Sequence, residues 1–130
     1  MIEHPPSVVT AHDWERCRGW LEAALEYAQG THLLGDVLAE IEANKATFWA
    51  FEKSVCVTQM IDWPRLKQLH FWLVGGDLED LLSHEPGVIE WGRSHGCTRF
   101  STAGRMGWRK AMKPLGYEFL CESVAKDIEP

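Results

Sequence analysis

No stretch of the 130-residue chain approaches the roughly 20 consecutive apolar residues that cross a bilayer, so no membrane-spanning helix is expected. The start, Met1-Ile2-Glu3-His4-Pro5-Pro6, lacks both the basic region and the apolar stretch of an export signal. A cytoplasmic location follows as the expectation. There is no C-x-x-C pair: Cys17, Cys56, Cys97 and Cys121 lie far apart, which favours reduced, mostly buried thiols over a disulfide framework. The six histidines show no metal-ligand spacing, so no metal is expected. Neither a Gly-x-Ser-x-Gly string nor a Cys–His arrangement marks a covalent nucleophile. Basic excess is also missing. A net charge of -6 speaks against nucleic acid as a partner. Repeats and low-complexity segments are absent from the sequence.

What is present suits one domain, with 45% hydrophobic and 25% charged residues. Seven tryptophans are many for this length, and supply core or contact surface. Trp20, Trp63 and Trp91 are candidates for a protein contact patch if exposed together, although half-buried core rings are the simpler reading. Charge is uneven. Residues 1–52 carry nine acids against three bases, whereas residues 53–130 carry ten of each. Five bases and no acid fall within residues 99–113 (Arg99, Arg105, Arg109, Lys110, Lys113), where an anion would approach.

The N-terminal part reads as two helices. Ser7-Val8-Val9 is a short strand or an extended lead-in after Pro5-Pro6. Thr10 is placed to cap a helix with Asp13 in its first turn, and Trp14, Cys17, Leu21, Ala24, Leu25 and Ala28 recur at helical spacing up to Gly30. Thr31 is placed to cap a second helix striped by Leu34, Val37, Leu38 and Ile41 and closed at Asn44. Its acids, Asp36, Glu40 and Glu42, read as a solvated face, the functional alternative being a site for a cationic acceptor.

Period-two patterning then takes over. Runs at 47–51 and 54–61, joined by Glu52-Lys53, predict an antiparallel hairpin. Residues 69–74 are apolar on both faces and predict a central strand, with Leu69, Phe71 and Leu73 on one face and His70, Trp72 and Val74 on the other. A Gly75-Gly76-Asp77 turn opens a helix in which Pro86-Gly87 predicts a kink or restart. Residues 98–102 are a further strand, 108–115 a short helix stopped by Gly116, and 117–124 a last alternating strand. A strand opening through glycines onto a helix N-terminus is a common phosphate site, since backbone N–H groups and the helix dipole both face the ligand.

The triplet Leu115-Gly116-Tyr117, after a strand and a short helix, resembles the C-terminal half of the GNAT superfamily of acyl-CoA N-acyltransferases. Gly104-Arg105 with Gly107-Trp108 looks like small GNAT-like proteins of phages and prophages. The resemblance implies an α/β fold, a mixed sheet flanked by helices, in a single domain over 1–130. It implies acetyl-CoA as donor and a small-molecule or protein amine as acceptor. The pantetheine would pair as an extra strand with residues Leu69 to Val74, and backbone N–H groups near Leu73 and Val74 would polarise the thioester carbonyl. The pyrophosphate would rest on the turn of Gly75, Gly76 and Leu78, with Arg105 and Arg109 meeting phosphates. His70 is the best base by type and place. Two departures stand out. The family's basic-residue and glycine loop is shortened to Gly75-Gly76-Asp77-Leu78-Glu79-Asp80. Met112 stands where a tyrosine commonly protonates the leaving thiolate. The alternative is therefore a non-catalytic GNAT-fold phage or prophage protein that acts as a binding or virion-associated module with a protein partner.

Overall fold

The computed structural model describes residues 5–103 and 110–128. Helices α1 (Ala11–Leu25) and α2 (Leu34–Glu42) lead into strands β1 (Thr47–Ala50), β2 (Ser54–Asp62) and β3 (Lys67–Gly76). Helix α3 (Leu78–Ser94), strand β4 (Arg99–Thr102) and a 3-10 turn (Lys113–Leu115) follow. The sheet order is β1-β2-β3-β4. The first two pairings are antiparallel, and the β3–β4 pairing, bridged by α3, is parallel. This is a mixed α/β sheet flanked by helices, as the element order predicts.

Period-two patterning places a separate core on each face. Phe48, Val55 and Val57 pack against Cys17 and Leu21 of α1 and Val37 and Ile41 of α2. The alternate residues Trp49 and Cys56 join Leu69, Phe71 and Val88 of α3 on the other face. Ser7 ties the lead-in to β1 as an extended segment: its N–H donates to Phe48 O (2.7 Å) and its Oγ accepts from Ala50 N–H (2.8 Å). Cys17, Cys56 and Cys97 are buried and Cys121 is exposed, all as free thiols.

Several elements depart from the sequence reading. Val57 lies opposite Leu73 and Thr58 opposite Phe71, so Trp72 is an extra residue in β3. This β-bulge resets the alternation. Leu73 faces the α1/α2 core with Trp72, and Val74 turns to the α3 side with Phe71. Pro86 does not divide α3, which is one helix; the proline is solvent-exposed, so the carbonyl it leaves without a donor can take water. α1 stops at Leu25, short of Gly30. α2 is capped not by Thr31 but by the Asp36 carboxylate, which accepts from Leu33 N–H (2.8 Å). Residues 117–124 join no sheet.

Candidate functional site

The bulge and the sheet order together create an opening. β3 pairs with β4 only from Gln68↔Arg99 to Phe71↔Thr102. Among the described residues, its continuation to Gly76 pairs with β2 alone. Among the described residues, 72–76 therefore present a strand edge beyond the end of β4. Leu73 is buried, Val74 half-buried, and Gly75 fits tightly below α1: a Cβ there would stand 2.9 Å from Trp20 Cβ.

The turn that follows is held by its own acids. Gly76 has φ +97, and an added Cβ would meet Lys53 O at 2.5 Å, so only glycine fits. Asp77 N–H donates to that same Lys53 carbonyl (2.9 Å). The Asp77 carboxylate caps α3 by accepting from Asp80 N–H (3.0 Å). Asp80 Oδ2 accepts from the buried Ser54 hydroxyl (2.8 Å) and from Lys53 N–H (3.3 Å). The Ser54 hydrogen bond is the main cause that holds the Asp80 carboxyl below its ordinary pKa, with Lys53 and His84 adding to it. Two amide donors at this helix start thus already have partners, and Asp77, Glu79 and Asp80 make its potential negative. Leu78 is exposed at its tip.

His70 lies two residues before the bulge. Its Nδ1 is 2.9 Å from Ser101 Oγ on β4. Ser101 Oγ also accepts from Gln68 Nε2 (2.6 Å), and Gln68 Oε1 accepts from Trp63 Nε1 (2.7 Å). Burial pushes the His70 pKa down, so the ring stays neutral near pH 7. Ser101 Oγ has lone pairs for both Gln68 Nε2–H and His70 Nδ1–H; in that tautomer His70 Nε2 is a basic nitrogen. Sequence reasoning found His70 but missed Ser101 and Gln68, whose roles depend on the parallel β3–β4 register.

A wide cleft of about 1500 Å³ separates β3, β4 and α3 from residues 115–123. His70 and Ser101 line it, as do the cations Arg93, Arg99 and Lys110. Glu85 and Tyr117 also line it, the hydroxyl lying beside the carboxyl. Burial raises the Glu85 pKa. Burial and then the Glu85 charge raise that of Tyr117. The contact lacks hydrogen-bond geometry: the buried Tyr117 hydroxyl makes no hydrogen bond in the structure. Met112, also buried, meets Glu85 and Val74 around a small apolar cavity of about 20 Å³. Arg105 and Arg109 lie outside the described residues.

On the opposite face, Glu40 of α2 sits 3.5 Å from His32 Nε2 and 3.5 Å from Gln59 Nε2. The His32 ring packs edge-on against Trp72, with centroids 4.7 Å apart. Of the three α2 acids, Glu40 alone is half-buried, while Asp36 and Glu42 are exposed. Trp63 is exposed, whereas Trp20 and Trp91 are half-buried, Trp91 against Trp49. Among the described residues no group of three or more His, Cys, Asp or Glu is placed to hold a metal, and no helix is long and apolar enough to cross a membrane.

No protein-family model matches the chain, and no curated protein matches its sequence. Solved structures do match its fold. An acetyltransferase of Trypanosoma brucei superposes with a TM-score of 0.65 at 13% identity, over 97% of this chain and 100% of the other. A transcriptional regulator of Bacillus halodurans superposes with a TM-score of 0.63 at 10% identity, over 97% and 100%. A possible acetyltransferase of Clostridium difficile gives 0.53 at 12% identity, over 97% of each chain. At such identities the likeness concerns fold alone, and that fold is the GNAT-like one of acetyltransferases.

Proposed function

We propose that the chain is one GNAT-like domain that transfers an acetyl group from acetyl-CoA to an amine, in the cytoplasm. The observation that carries this reading is the edge of residues 72–76, left without a β4 partner just past the bulge. An extended pantetheine arm fits such an edge as an added strand, along Leu73 and Val74. The amine nitrogen bonds to the thioester carbonyl carbon, the carbon–sulfur bond breaks, and the ammonium proton passes to His70 Nε2. The thiolate takes a proton from solvent or from a cleft residue. Buried Met112 offers none. The pyrophosphate is the poorly fitted part. Gly75, Gly76 and Leu78 would receive it in a turn whose acids repel it by about 1 kcal/mol each. Arg105 and Arg109 are the proposed counter-charges. The acceptor side of the sheet carries Glu40, His32 and Trp72, which suits a cationic amine.

A second reading has its own observation. The amide donors of Asp77 and Asp80 are taken up internally, as befits a GNAT-fold protein of phage or prophage type that has lost acyl transfer and binds a protein partner. A thermal-shift titration with acetyl-CoA separates the two. At roughly a hundred times its Kd the ligand stabilises the fold by about 2.7 kcal/mol. A clear shift, with thiol release in the presence of an amine panel, supports the enzyme. No shift at millimolar acetyl-CoA rejects it.

A further inference from the structure

Gln68 is buried in β3, two residues before His70 on the same face of the strand. A buried amide is costly unless both of its ends find partners. Both do. Trp63 Nε1–H donates to Gln68 Oε1 (2.7 Å), and Gln68 Nε2–H donates to Ser101 Oγ (2.6 Å). An indole nitrogen only donates, so Trp63 decides which end of the amide carries the oxygen and turns Nε2–H toward Ser101. The parallel register then sets Ser101 opposite His70, with Oγ 2.9 Å from Nδ1. The lone pairs of Ser101 take Gln68 Nε2–H and His70 Nδ1–H, and its own hydrogen is left for the cleft that it lines. Trp63 begins this chain from outside. It is 53% exposed on the loop between β2 and β3, where its backbone N–H donates to Leu66 O (2.9 Å). A loop, a central strand and its parallel neighbour thus converge on one ring nitrogen.

We propose that Trp63, Gln68 and Ser101 are positioning residues for His70: together they hold the ring proton on Nδ1 and keep Nε2 basic and fixed in direction. The inference rests on the reading of His70 as the base of acetyl transfer, and extends it to three residues that act through its ring. Two features suit the task. A hydroxyl at this place fixes the tautomer without adding a charge that would raise the ring pKa. The same contact also serves before and after proton transfer, because Nδ1–H donates to Ser101 Oγ in the neutral ring and in the cation alike. No partner has to turn during the step.

Nitrogen-15 NMR of the histidine rings in the full chain, at about pH 8 where an ordinary imidazole is neutral, tests this directly. The His70 signals are assigned by their loss in His70→Gln. Wild type is expected to show a protonated Nδ1 and an unprotonated Nε2. Ser101→Ala is expected to move the proton largely to Nε2, and to lower kcat for acetyl transfer about tenfold at unchanged KM for acetyl-CoA. Ser101→Thr returns the hydroxyl and is expected to restore both. Trp63→Phe, on the exposed loop, is expected to give a mixture of tautomers, since the freed amide can turn. A wild-type ring protonated on Nε2 overturns the proposal. So does a Ser101→Ala ring that keeps the wild-type tautomer, or a moved proton with unchanged kcat. Tautomers that change as expected in proteins that transfer no acetyl group would uphold the positioning chain and reject the acetyl-transfer reading.

Discussion

Two carboxylates on α3, little more than a turn apart, are treated in opposite ways. Asp80 faces the β1–β2 connection, where the Ser54 hydroxyl and Lys53 N–H hold it ionised and low in pKa. Glu85 faces the cleft, where burial raises its pKa and the neighbouring Tyr117 hydroxyl lacks a hydrogen bond. The first region is satisfied by its own groups. The second holds a buried hydroxyl, that of Tyr117, which makes no hydrogen bond. The glycines that open onto the start of α3 draw attention to the first region as a phosphate turn. The chemistry shows that it is closed by internal bonds, while unmet hydrogen-bonding capacity lies across the cleft near β4. Two positions little more than a turn apart on one helix thus differ in how far the chain satisfies them.

The sharpest way to break this contrast is at the clamped turn. Gly76→Ala forces a Cβ into the Lys53 carbonyl at positive φ, and is expected to destabilise the fold by about 3 kcal/mol. Urea denaturation would show a lower midpoint with an unchanged slope. Asp80→Ala comes next, at about 2 kcal/mol, because it strands the fully buried Ser54 hydroxyl. Its pH dependence is a separate check. With its folded pKa lowered, Asp80 stabilises the protein fully above the ordinary carboxylate range and loses that contribution as pH falls through the lowered value. Wild type and Asp80→Ala should therefore converge in acid.

The cleft should respond with the opposite sign. Tyr117→Phe removes a buried hydroxyl without a hydrogen bond, and is expected to be neutral or stabilising by up to about 1 kcal/mol. Glu85→Gln has the smallest effect and the most informative profile. A raised folded pKa means that wild-type stability falls as pH rises from the ordinary glutamate range through the raised value. The variant should match wild type in acid and exceed it at neutral pH. A loss of stability at neutral pH would show that the Glu85 carboxylate is satisfied after all.

Much of the fold was legible in the sequence because its signals are local. Alternation in 47–51 and 54–61 marks the hairpin, two-faced apolarity in 69–74 marks the central strand, and Thr10 and Asp77 mark two helix starts. Apart from the local misreadings of the α1 end, the α2 cap and Pro86, the errors lie where a long-range partner decides. The Trp72 bulge depends on β2 and reverses the facing of Leu73 and Val74, which no run of β3 residues reveals. Residues 117–124 have the composition of a strand, but a strand needs a neighbour, and no described strand pairs with them. At the site, His70 was recognisable by residue type and strand position. Ser101 and Gln68 were not, because parallel pairing brings together residues more than thirty positions apart. The acids of the Gly75–Asp80 turn were visible as a departure, and the structure adds what they bind.

An acyl donor laid along residues 72–76, as proposed, brings its phosphates against a turn whose acids oppose them. Calorimetric titration of acetyl-CoA into wild type and Glu79→Gln tests it most directly, since Glu79 is exposed and makes no cap hydrogen bond in the structure. Binding to wild type is expected, with a Kd about fivefold tighter in the variant, the effect of one removed like charge near the phosphates. Absence of binding heat in both proteins, or equal affinities, would contradict it.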